Sequence, residues 1–71
     1  MTQKKIQVFI NGKKKMCYEK NSLLKVLKDL KLNNTGIAVE INYIVIPKSQ
    51  YKNTLIRNND KIEIVQFIGG G

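Results

Sequence analysis

A chain of 71 residues with 42% hydrophobic content is sized for one thin-cored domain and is too apolar to stay disordered. No His is present and the single Cys17 cannot close an internal disulfide, so a conventional zinc site and a disulfide framework are excluded, and a reducing compartment is expected. No stretch approaches the ~20 consecutive apolar residues of a membrane span, and Met1 to Lys5 holds no signal-peptide core, so the chain is expected to remain where it is made.

The formal net charge of +8 raises nucleic-acid binding as a function. The basic residues are scattered, however, with Lys13-Lys14-Lys15 the longest run. Lys, Asn and Ile, all with A/T-rich codons, supply 30 of the 71 residues, so an A/T-rich genome would raise the Lys count without selection for a partner. No nucleic-acid partner is expected; a small basic nucleic-acid-binding module stands as the reading from another class, and it requires tight, salt-dependent binding. The charge also suits an acidic partner surface.

Lys5 to Ile10 alternates, with Ile6, Val8 and Ile10 on one face and Lys5, Gln7 and Phe9 on the other, which predicts a half-buried strand. Asn11-Gly12 is a strong hairpin signal because both residues tolerate positive φ. The return strand, Lys13 to Tyr18, has two registers open to it. A two-residue turn puts Lys13, Lys15 and Cys17 on the face of Ile6, Val8 and Ile10; a loop one residue longer puts Lys14, Met16 and Tyr18 there. Turn chemistry favours the first and burial the second. Cys17 is read as a small, half-buried thiol without a role in chemistry.

Asn21 or Ser22 can cap a helix, and Leu23, Val26, Leu27 and Leu30 form its apolar stripe. The stripe is expected to pack on the sheet. Asn33 to Gly36 carries the residues expected to end the helix. Ile37 to Ile41 predicts a third strand, Asn42-Tyr43 a tight turn, and Ile44 to Ile46 a short strand that Pro47 ends or marks as an edge. Lys48 to Arg57 is polar and irregular, with Tyr51, Leu55 and Ile56 as anchors. Asn58 to Asp60 is a turn, and Lys61 to Ile68 is the last strand, with Ile62 and Ile64 facing one way and Glu63, Val65 and Phe67 the other. The order predicts an α+β fold, a mixed four- to five-stranded sheet packed on one main helix. A β-grasp, with the first and last strands parallel at the centre, closes it compactly.

The last strand runs into Gly69-Gly70-Gly71. Glycine costs the most backbone entropy to order, so three in a row do little to hold a fold. On these residues alone a frayed terminus and a segment that reaches outward are equally open. No convergent acid/base set or phosphate loop is present, so the chain is not expected to be an enzyme.

Ile37 to Asn42, Val45-Ile46-Pro47, Leu55, Asp60-Lys61-Ile62-Glu63-Ile64-Val65 and Phe67 to Gly71 together resemble the ThiS family of sulfur carrier proteins of thiamine thiazole biosynthesis. Asn11-Gly12 and the Leu-rich helix opened by Ser22-Leu23 fit too, so the resemblance covers nearly the whole chain. The chain departs from the family at Asn59, where Gly is common before the Asp, and at Lys15, where an apolar residue is usual.

The resemblance implies one ubiquitin-like β-grasp domain, residues 1–71, with a flexible tail over 67–71. It implies that the Gly71 carboxylate is adenylated with ATP by a ThiF-like adenylyltransferase and converted to a thiocarboxylate with sulfur from a donor system. The thiocarboxylate then gives its sulfur to thiazole synthase. Gly69 and Gly70 would thread the partners' active sites. Phe67 and Ile68 cannot both face the core and Phe9 lies opposite Val8 and Ile10, so Phe9, Phe67 and Ile68 are expected in an apolar patch that docks the partners. The chain itself is expected to bind no cofactor or metal. The expected location is cytoplasmic, or the plastid stroma if the gene is an organelle's. The small subunit of molybdopterin synthase, a carrier of the same fold and tail, is the nearest rival.

Overall fold

The computed structural model describes residues 3–32 and 35–67. Five strands and one α-helix follow in the order β1 (Lys5–Ile10), β2 (Lys13–Tyr18), α1 (Leu23–Asp29), β3 (Ile37–Ile41), β4 (Ile44–Ile46) and β5 (Lys61–Gln66), with a 3₁₀ helix over Lys48–Asn53 between β4 and β5. The sheet order is β2-β1-β5-β3-β4. β1 and β5 pair in parallel at the centre, Phe9 beside Lys61 and Ile10 beside Ile62, and every other pair is antiparallel. The expected α+β arrangement and its parallel centre are therefore present.

The hairpin register follows the turn. Ile6 pairs with Cys17, Val8 with Lys15 and Ile10 with Lys13, so the two-residue turn prevails. Asn11 and Gly12 sit at φ 50° and 84°, the left-handed pair that matches the twist of the flanking strands. The burial cost is small because β2 is an edge strand. Lys13 and Lys15 stay exposed, and Cys17 packs against the core margin. A second turn of this kind, Asn42-Tyr43 at φ 51° and 71°, joins β3 to β4.

α1 begins at Ser22, whose Oγ accepts from the Lys25 N–H at 3.1 Å. Leu23, Val26 and Leu27 are buried with Ile6, Val8, Val39, Ile41, Tyr51, Ile56, Ile62 and Ile64, which places the core between the helix and one sheet face. The helix stops sooner than expected. Leu30 is its C-cap and Lys31 takes φ 60°. The Leu32 N–H then bonds to the Leu27 carbonyl and the Lys31 N–H to the Lys28 carbonyl, which satisfies the last turn. Asn33 and Asn34 lie outside the described residues.

Of the three expected anchors in the irregular stretch, Tyr51 and Ile56 are buried and Leu55 is not, at 53% exposed. The backbone explains this. Leu23 N–H bonds to Thr54 O and Ile56 N–H to Asn21 O, which turns the side chain between them outward. β5 ends at Gln66, and Phe67 keeps one further bond, its N–H to the carbonyl of Gly36 at 2.8 Å. Gly36 sits at φ +72°, where a side chain would be strained. Of the expected tail, 67–71, only Phe67 is described; Ile68, Gly69, Gly70 and Gly71 lie outside the described residues. No helix among the described residues is long and apolar enough to cross a membrane.

Candidate functional site

β5 leads the chain toward the terminal glycines, and it lies between the two hairpins. Each hairpin turn reaches it with an asparagine. The Asn11 N–H donates to Ile62 O at 2.9 Å. Its side chain then acts as one more rung of the ladder: Oδ1 accepts from the Ile64 N–H at 2.7 Å and Nδ2 donates to Ile64 O at 3.1 Å. On the other side the Asn42 N–H donates to Lys61 O at 2.8 Å, and Asn42 Oδ1 accepts from the Lys61 N–H at 2.9 Å.

Asn42 also donates through Nδ2 to Asp60 Oδ1 at 3.0 Å. Asp60 is the buried acid of the chain, 8% exposed, and its Oδ2 accepts from the Arg57 N–H at 2.7 Å. The 57–60 turn is thus closed by its own carboxylate. Asn58 and Asn59 tie it to β1, with Asn58 Oδ1 accepting from Gln7 N–H at 3.0 Å and Asn59 Oδ1 from Gln7 Nε2 at 2.7 Å. Asn59 takes φ 70°, so it serves the turn that Gly serves elsewhere.

Sequence reading found the turns but not these clips. The positive-φ asparagine signals were visible; their partners, 53 and 18 positions away, were not. Asn11→Gly keeps the turn and removes both side-chain bonds. It is expected to cost about 1–2 kcal/mol, read by urea unfolding, with the greatest loss of amide-exchange protection at Ile64.

The sheet face opposite the helix carries Phe9 on β1, Lys61, Glu63, Val65 and then Phe67 along β5, Ala38 and Glu40 on β3, and Val45 on β4. No described element covers it. Val45, Val65 and Phe67 are 65%, 57% and 67% exposed, while Phe9 is half-buried. Phe9 and Phe67 therefore share this face, at its two ends. Phe9 lies beside Lys61, six strand positions from Phe67, or about 20 Å. Ile68 and Gly69 to Gly71 are outside the described residues, so the residues expected to do the chemistry carry no geometry here.

Cys17 faces the helix side near Lys15 and Asp29. Burial pushes its thiol up, Lys15 pulls it down and Asp29 adds a smaller push up. The thiolate, the nucleophilic form, is thereby disfavoured. Cys17 is expected to alkylate with iodoacetamide several-fold more slowly than a free thiol at neutral pH, with the midpoint of its rate–pH profile displaced upward. Among the described residues no group of three or more His, Cys, Asp or Glu converges on a metal position.

The chain matches the ThiS family over residues 4–71. It is 39% identical to the uncharacterized protein ycf40 of Porphyra purpurea over 71 residues, all of both chains. It is 26% identical to the sulfur carrier protein ThiS of Escherichia coli K12 over 66 residues, 93% of this chain and 100% of that one. A thiazole synthase of Paramagnetospirillum magneticum is 35% identical over 66 residues, 93% of this chain but 20% of that protein. Among solved structures, the thiamine biosynthesis protein ThiS of Geobacter metallireducens superposes with a TM-score of 0.79 at 26% identity, over 93% of this chain and all of that one. Strand order, the parallel β1–β5 centre and these likenesses agree: the chain belongs to the ThiS family of sulfur carrier proteins and has their ubiquitin-like β-grasp fold.

Proposed function

We propose that this sulfur carrier works through the carboxylate of Gly71 and that its sulfur goes to thiazole synthase. An α-carboxyl group is ionised at neutral pH and resists nucleophiles. In the proposed sequence a carboxylate oxygen attacks the α-phosphorus of ATP on a ThiF-like adenylyltransferase, and pyrophosphate leaves. A sulfide equivalent from the donor system attacks the acyl carbon, and AMP leaves with the former carboxylate oxygen. The product is a Gly71 thiocarboxylate, whose sulfur is the nucleophile in thiazole formation. ATP belongs to the partner, and the carrier is a co-substrate rather than an enzyme.

One observation carries the choice of acceptor. A thiazole synthase contains a stretch similar to 93% of this chain, so carrier-like and synthase sequence occur in one polypeptide. The tail suits delivery. From Phe67 to Gly71 an extended chain reaches at most about 17 Å, enough for Gly69 and Gly70, which lack Cβ, to pass a narrow channel while the domain stays outside. Phe9, Phe67 and Ile68 would then lie on the docked side. The similarity to ycf40 proteins, encoded in plastid genomes of algae, together with the abundance of residues that have A/T-rich codons, supports the plastid stroma as the location.

The test is an intact mass after incubation with ATP, the cognate adenylyltransferase and a sulfur source. The expected result is replacement of one oxygen by sulfur, assigned to Gly71 by fragmentation. An unchanged mass with an enzyme shown to be active refutes the reading.

A further inference from the structure

The open sheet face has an electrostatic centre that its own chain leaves unmet. Glu40 on β3 and Glu63 on β5 are direct cross-strand partners, with Val45 on β4 completing the row. Like charges directly opposite each other destabilise a sheet. In a chain of net charge +8, cations to relieve them are abundant. Yet neither carboxylate has a salt bridge or a side-chain hydrogen bond among the described residues, whose ion pair is Lys25–Asp29 on the helix. The nearest cation along β5, Lys61, lies over the ring of Tyr43 instead, 5.8 Å from its centroid. Phe9, Gly12, Tyr43, Lys61 and the two glutamates line a shallow open depression of about 520 Å³.

The rest of the face is apolar. Val65 and Phe67 continue from Glu63 along β5, and Phe67 is the last described residue before the tail. A protein that takes up the tail therefore has this face within reach, beginning at Phe67. Charge complementarity then fixes what it must offer at the centre. Two carboxylates on opposed residues, about 5 Å apart at Cα, fit a planar guanidinium, which can bond to both and lie against an aromatic ring. A divalent cation does not suit a pair without a third ligand, and none converges there among the described residues.

We propose that this face docks thiazole synthase through an arginine of that enzyme, seated between Glu40 and Glu63 with Phe9 and Tyr43 beside it and Val45, Val65 and Phe67 as the apolar surround. The proposal rests on the sulfur-carrier reading and adds the partner's chemistry to it. The pair costs the free domain some stability, and the docked arginine removes that cost.

The test uses the full chain and the cognate thiazole synthase in isothermal titration calorimetry at physiological salt. Glu40→Gln/Glu63→Gln is expected to bind roughly tenfold or more weakly, while melting no lower than the wild type. Glu63→Lys, a surface change that puts a cation on the face, is expected to bind more weakly still. Glu19→Gln/Asp29→Asn removes the same two charges elsewhere and is expected to stay within about twofold. Binding of the Gln/Gln and Lys variants within twofold of wild type overturns the proposal, as does an equal loss in the Glu19/Asp29 control or no binding by the wild type. The carrier reading is judged separately by the mass of the wild-type chain. A carrier that gains sulfur and binds the synthase equally well without Glu40 and Glu63 refutes only the docking inference.

Discussion

A chain extended by one residue beyond Gly71 is expected to form no thiocarboxylate above background, although its fold is unchanged. The extension moves the carboxylate one residue, about 3.5 Å, past the position where the α-phosphorus of ATP is held. In-line attack needs the reacting atoms about 3–3.5 Å apart and aligned, and misplacement by 1 Å is enough to cost about a hundredfold. If the added residue is alanine, a Cβ also stands on the terminal residue, where Gly71 has none. Intact mass after incubation with the adenylyltransferase reads the result, and a melting curve matching the wild type shows that the loss lies in the tail. Sulfur gain by the extended chain would show that the reaction does not depend on the carboxylate sitting at the Gly71 position.

Asp60→Ala is expected to cost about 3 kcal/mol, the largest effect of any polar substitution in the domain. The carboxylate is buried and holds two donors, the Arg57 N–H and Asn42 Nδ2. Each buried donor left without a partner costs about 1–3 kcal/mol. At about 0.05–0.15 kcal/mol per residue, a domain of this length has only about 4–11 kcal/mol in total. The substitution therefore removes a large share, and the urea midpoint should fall accordingly. Asp60→Asn keeps the acceptor for one donor and is expected to lose about half as much. The loss should reach β5 through Asn42, whose other contacts grip Lys61. An Asp60→Ala midpoint close to wild type would mean that water replaces the carboxylate at little cost.

The elements that the sequence announced were those encoded locally. Asn11-Gly12 specifies its turn, and Ser22 with Leu23, Val26 and Leu27 specifies a capped amphipathic helix. The open choice of register in β2 shows local and tertiary signals competing. Turn geometry won because an edge strand leaves Lys13 and Lys15 in water whichever face they occupy. The outward Leu55 had no local signal, since it is decided by backbone bonds to the Asn21–Leu23 segment, whereas the helix stop at Lys31 is closed by bonds within its own last turn. The candidate site was legible only in part. The terminal glycines alone left a frayed end and a working tail equally open. The fold order and the resemblance over Asp60 to Gly71 favoured the tail, and strand alternation put Phe9 and Phe67 on one face. The facing of Glu40 and Glu63 depends on pairing between strands 23 positions apart, which no alternation within either strand reveals.

The parallel pairing of β1 and β5 has a mechanical consequence. A partner that draws on the tail pulls β5 along its own axis. The strand lies between β1 and β3 and is clipped at Ile64 and Lys61 by the two turns. The load is therefore a shear shared by many bonds at once, not a peel that breaks them singly. A pull applied beyond Phe67 is therefore resisted by the whole ladder, and under the proposed function the domain is a firm body against which a partner enzyme positions the chain end.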